Sequence, residues 1–191
     1  EDMFLMKTDA NGTMLWSHTY GTAKPDIAYD MVQTSDNGFI IVGETESYKD
    51  GWWVNDVFIV KTDANGDTLW TKTFGDSGAD IGTCVQQTFD GGYVLTGCTY
   101  SYGNGDFDVW LIKTDNIGNQ QWSKTYGGLN SDKGYVVQQT IDGGFIITGY
   151  TESFGNGQFF YSDVWLIKLD SNGTQQWDNS YGDPNSITQE V

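Results

Sequence analysis

The chain alternates short apolar runs with polar turns, and the runs recur. Val57, Phe58, Ile59 and Val60 are apolar at successive positions. A strand with one wet face would alternate, so this run predicts a strand buried on both faces, between two other sheets. Around it, Asp56 to Thr62 reads as a strand, Asp63-Ala64-Asn65-Gly66 as a tight turn, and Asp67 to Phe74 as a return strand centred on Trp70. After nine residues, Thr83 to Phe89 leads to an Asp90-Gly91-Gly92 turn, and Tyr93 to Thr99 comes back. The unit is thus two hairpins, four short strands in all.

The unit is repeated. Asp2 to Gly21, Asp56 to Gly75, Asp108 to Gly127 and Asp163 to Gly182 align without a gap, and so do Met31 to Ser47, Val85 to Ser101 and Val137 to Ser153. The periods are 54, 52 and 55 residues. One connection is nine residues long every time, and the other is eight, six or nine. Length variation confined to one loop marks that loop as free of geometric duty and the rest as fixed. Four strands per period of this length match a β-propeller blade, whereas solenoid coils are usually shorter and the Leu spacing of leucine-rich repeats is lacking.

The order aspartate, apolar strand, Lys-x-Asp, Gly, Trp, Tyr-Gly and Asp-Gly-Gly resembles the bacterial and archaeal seven-bladed propeller repeat. Hairpins carrying Trp16, Trp70, Trp122 and Trp177 are similar to the tryptophan-docking motif of quinoprotein-type propellers. The resemblance implies an all-β propeller of four-stranded antiparallel blades, about 3.5 repeats, belonging to a larger ring of six to eight blades. It implies that the strand entering each Asp-Gly-Gly turn is innermost, the Trp strand outermost, and the Trp packed on the adjacent blade. The expected division is a half blade at 1–21, blades at 22–75, 76–127 and 128–182, and the start of another at 183–191. Fold resemblance does not carry function.

Composition narrows the partners. Against 26 acidic residues stand 9 lysines and no arginine, for a net charge of -17. Nucleic acid and anionic membranes both draw on clustered cations, so neither is an expected partner. No stretch reaches the 18 apolar residues of a membrane span. Acidity, economy of repeat and the sequons Asn11-Gly12-Thr13 and Asn172-Gly173-Thr174 suit an extracellular or cell-surface setting, with Asn11 and Asn172 as candidate glycosylation sites.

Catalytic groups are needed once, so they should depart from the repeat. Lys7, Lys61, Lys113 and Lys168, each with an aspartate two residues on, recur in every copy and read as scaffold. His18 departs but has no fixed partner, and no nucleophile elbow, His and Cys pair or phosphate-cradling loop is present. No catalytic residue is assigned. The variable loops instead carry Trp52, Trp53, Tyr102, Asn104, Asp106, Phe107, Asn156, Phe159, Phe160 and Tyr161. Rings beside amides and carboxylates fit a sugar-binding surface, rings stacking on sugar faces and amides bonding hydroxyls, or else they cap the blade tops.

Asp26, Asp80 and Asp132 recur in the nine-residue connection, where carboxylates near a channel mouth would hold calcium or, alternatively, cap local N–H groups. Cys84 and Cys98 lie seven residues to either side of Gly91, which would set them opposite each other and permit a disulfide. The expected function is a binding or structural module for a glycan or protein surface. The alternatives are a carbohydrate-active hydrolase or lyase and a self-assembling subunit that associates through open blade edges.

Overall fold

A computed structural model describes residues 2–155 and 162–182. These residues are all-β and form fourteen strands: β1 (Met3–Thr8), β2 (Met14–Tyr20), β3 (Asp26–Gln33), β4 (Phe39–Lys49), β5 (Trp52–Thr62), β6 (Thr68–Phe74), β7 (Asp80–Gln87), β8 (Tyr93–Thr99), β9 (Asp108–Thr114), β10 (Gln120–Tyr126), β11 (Asp132–Gln139), β12 (Phe145–Thr151), β13 (Asp163–Leu169) and β14 (Gln175–Tyr181). They form a two-stranded sheet, β1-β2, and three four-stranded antiparallel sheets in chain order, β3 to β6, β7 to β10 and β11 to β14. No helix among the described residues is long and apolar enough to cross a membrane.

Sheets stack as blades. β7 packs against β3, β4 and β5 of the preceding sheet, and β11 against β7, β8 and β9. The strands entering the Asp-Gly-Gly turns are therefore neighbours along one inner side, and the Trp strands form the opposite edge of each sheet. The consecutive apolar run explains itself here. Val57 and Ile59 pack with Val85, Leu95, Trp110 and Ile112 of the next sheet, while Phe58 and Val60 pack with Met3 and Tyr20 of the previous one. A second such seam joins Val94, Val109 and Leu111 to Val137, Phe145 and Ile147. The core is thus a series of seams between sheets, and each fully buried aliphatic or aromatic side chain contributes about 1.5–3 kcal/mol. That outweighs the roughly 1 kcal/mol net of any single hydrogen bond crossing the same seam.

Tryptophan closes the outer end of each seam. Trp16, Trp70 and Trp122 lie against Gly66, Gly118 and Gly173, the turn glycines of the next sheet, so closely that any Cβ there would collide with the indole. Each of these glycines also has positive φ, between 72° and 86°, which L-residues adopt poorly. Tyr20 donates its hydroxyl to the Gly66 carbonyl at 2.7 Å, and Tyr126 to that of Gly173 at 2.6 Å. Phe74 holds the equivalent position between them and has no hydroxyl.

Two expectations need correction. The inner strands begin at Asp26, Asp80 and Asp132, so part of the nine-residue connection is strand. A bulge follows in each, between Ala28 and Asp30, Gly82 and Cys84, and Gly134 and Val136. The bulge shifts the register, so Cys84 faces Thr96 and Cys98 faces Ile81, and both thiols are free. Lys61, Lys113 and Lys168, the scaffold lysines of the repeat, pair with Asp36, Asp90 and Asp142 of the Asp-Asn-Gly and Asp-Gly-Gly turns, at 2.9 to 3.0 Å.

Candidate functional site

The eight residues between Ser47 and Asp56 look like loop, yet they zip into a hairpin. β4 and β5 stay in register out to Lys49 opposite Trp52, and Asp50 and Gly51 make the turn with φ of 51° and 92°. Two successive positive φ values are what a type I′ two-residue hairpin turn requires, and Asp-Gly is among its preferred sequences. The second four-stranded sheet lacks this extension, because β8 ends at Thr99 and β9 begins at Asp108.

Its tip exposes two indoles. Trp52 is 76% and Trp53 53% exposed, and successive strand residues point to opposite faces. Tyr48 stands opposite Trp53, with ring centroids 4.9 Å apart. The Lys24 ammonium lies 3.9 Å from the centroid of the Trp53 ring. Lys49 anchors the base, donating to Asp56 at 2.7 Å and to the Asp76 carbonyl at 3.0 Å, and Ser47 donates to Asp56 at 2.6 Å. The platform is therefore held by a ladder and an ion pair. Tyr48 and Lys24 were not legible as members of it; the signal was the pairing of Tyr48 with Trp53 across an Asp-Gly turn.

The remaining aromatic positions divide. Tyr102 folds back on Trp110, with centroids 5.1 Å apart, as Phe154 does on Trp165 at 5.3 Å. These two cap blade tops. Phe107 packs on Tyr100 with centroids 5.4 Å apart, and the Lys133 ammonium lies 4.3 Å from the centroid of the Phe107 ring. Asn104 and Asp106 are exposed beside them, the Asn104 amide N–H donating to Asp108 and Asp106 accepting from the Phe107 N–H. Asn156, Phe159, Phe160 and Tyr161 lie outside the described residues. Asn11 and Asn172 are exposed at the tips of the β1-β2 and β13-β14 turns.

Asp26, Asp80 and Asp132 each stay within their own sheet's connection and act as caps. Asp80 accepts from the Asp76 N–H at 3.0 Å, the Ser101 hydroxyl at 2.6 Å and the Thr99 hydroxyl. Asp132 accepts from the Gly128 N–H and the Ser153 hydroxyl, and Asp26 from the Thr22 N–H. Among the described residues no three acidic, histidine or cysteine side chains converge as a metal cage.

Other titratable groups are buried singly. Burial pushes the Glu44 carboxyl above its usual range, against hydrogen bonds from Tyr29 and Asn55 that lower it. Burial likewise pushes the Cys84 and Cys98 thiols up to about 11, so neither is a nucleophile near neutral pH. His18 sits on the outer strand between Trp16 and Tyr20.

No protein-family model matches the chain, and no curated protein does. Among solved structures, a Bacteroides caccae protein of unknown function is similar at 10% identity with a TM-score of 0.45, over 92% of this chain and 74% of that one.

Proposed function

We propose that this chain is a carbohydrate-binding module of the cell exterior, with the β4-β5 hairpin tip as its contact surface. The observation that carries the reading is the exposure of Trp52 and Trp53, 76% and 53%, on a backbone already locked by its own ladder. Rings already held on a rigid support, Trp52 in water and Trp53 braced by Tyr48 and Lys24, lose little conformational entropy on stacking against the apolar face of a sugar ring. Glu46, Asp50 and Asn55 around them supply acceptors and an amide for hydroxyls. A net charge of -17 repels acidic polysaccharides, so the ligand class is neutral glycans.

Titration with neutral oligosaccharides of the gluco-, xylo- and manno- series, followed by tryptophan fluorescence and calorimetry, tests this. Binding should saturate for at least one series. Trp52→Ala and Trp53→Ala should each weaken it by about tenfold or more, near the 1.4 kcal/mol of one stacked ring, with the thermal midpoint unchanged. No response to any series, or full binding by the double variant, would sink the reading.

A further inference from the structure

Each four-stranded seam brings two aspartates together at the glycine that follows the outer strand. Asp56 and Asp80 both reach within 3.0 Å of where a Cβ on Gly75 would stand, and Asp108 and Asp132 do the same at Gly127. All four are at most 2% exposed. Two carboxylates at such spacing, away from water, cannot both carry unbalanced charge without a large penalty.

The first seam is balanced. The Lys49 ammonium sits 2.7 Å from Asp56 Oδ1 and also holds the Asp76 carbonyl. The second seam has the same acids and no such lysine. The repeat position of Lys49 is Gly103, whose φ is 98° and whose Cα lies so near Asp108 that a Cβ would run into Oδ2. No side chain can stand there. Asp108 Oδ2 accepts from the Asn104 N–H at 2.6 Å, but its Oδ1 is buried with no hydrogen-bond partner. Asp132 spends its oxygens on the Gly128 N–H and on Ser153. A buried carboxylate oxygen with no donor is rare in folded proteins, and the missing partner has a defined place, the one an ammonium fills next door.

We propose that the second seam binds a calcium ion where Lys49 puts its ammonium in the first. Asp108 Oδ1 and an Asp132 oxygen are its carboxylate ligands. The Gly128 carbonyl, repeat equivalent of that of Asp76, and water complete the oxygen shell a hard cation takes. With two carboxylates only, half-saturation falls at about 0.1–1 mM, the range of extracellular calcium modules. The site is separate from the hairpin tip and stands whether or not sugar binds there.

Calorimetry and thermal unfolding of the whole chain in CaCl2 against EDTA provide the test, with Asp108→Asn as the near-isosteric variant. One ion per chain should bind, and the midpoint should rise by about 3–6 °C at ten times the dissociation constant. Asp108→Asn should lose that response while its midpoint in EDTA equals or exceeds the wild-type value, because an unbalanced charge is gone. Three results would overturn the proposal: no calcium response in the wild type, an equal response in Asp108→Asn, or stabilisation on acidifying to pH 5 with no effect of calcium, which would mean a shared proton instead of a metal.

Discussion

Lys61 has a side chain only 2% exposed, and its ammonium pairs with Asp36, whose side chain is 56% exposed. Its Nζ also donates to the buried Thr62 carbonyl at 2.7 Å. The aliphatic stem is core and the ammonium is a pin between the two hairpins of a sheet. Lys61→Met keeps the stem and removes the pin, leaving the Thr62 carbonyl without that donor; urea unfolding should show a loss of about 1–3 kcal/mol. The turn acids add a pH dependence. The Thr34 hydroxyl, then Lys61 and the Gly38 N–H, hold the Asp36 carboxyl down to about 2 against some burial. Asp90 is drawn to about 2 by Thr88, Lys113 and the Gly92 N–H, overcoming its burial, and Asp142 to about 2 by Thr140 and Lys168. Folded values below the unfolded one mean stability present above about pH 4 and lost as pH falls toward 2. Urea midpoints should drop across that window, less steeply in an Asp36→Asn, Asp90→Asn, Asp142→Asn variant. The repeat marked these lysines as scaffold without naming their partner. The true partner is far in sequence and near only once the hairpins pair.

At the scale of elements, the β4-β5 hairpin shows how a loop-length difference becomes a surface. Eight residues around Asp-Gly close a two-residue turn and extend both strands, whereas the six residues from Tyr102 to Phe107 contain Gly103 and Gly105 and do not. Gly51 has open space around it but a φ of 92°, so Gly51→Ala meets backbone strain and no collision, worth about 1 kcal/mol. Hydrogen exchange at the Tyr48 and Trp53 amides should quicken in that variant while the thermal midpoint stays nearly constant; an unchanged rate would show that the turn does not hold the tip. The pairing of strands was legible because both apolar faces and turn residues recur. The bulges at Tyr29, Thr83 and Tyr135 were not, because an extra residue leaves no mark in composition, and with them went the expected register of Cys84 and Cys98. Of the aromatic positions, sequence could not separate Tyr102, seated on Trp110, from Trp52, seated on nothing.

Among the described residues the sheets form a row, each packed on the sheet beside it, and the outward faces of the first and last carry exposed apolar side chains. Val164 is 58% exposed, although its counterparts Val57 and Val109 are at 2% and 1% beneath the next sheet. At the other end Phe4, Met6 and Met31 are 61%, 49% and 39% exposed, and a groove of about 270 Å3 runs between Phe4, Leu5, Met31 and Ile41. Apolar faces at opposite ends of a row would meet head to tail, a heterologous contact and not a two-fold one. Sedimentation velocity should show weight-average mass rising with concentration, and Val164→Lys should suppress the rise; a monomer at millimolar concentration would exclude it.

Phe74 gives this row an uneven compliance. Tyr20 and Tyr126 stitch the outer rims of their seams through a hydroxyl, while the seam of Phe74 has the aromatic ring alone, with Lys72 reaching Asn119 at 3.1 Å nearby. Its inner rim is stitched, Asp30 to the Val85 N–H and Gln87 to the Ser35 N–H. A load prying the row apart should therefore open it outward between the first and second four-stranded sheets, flexing about their inner strands, as a book opens from its spine.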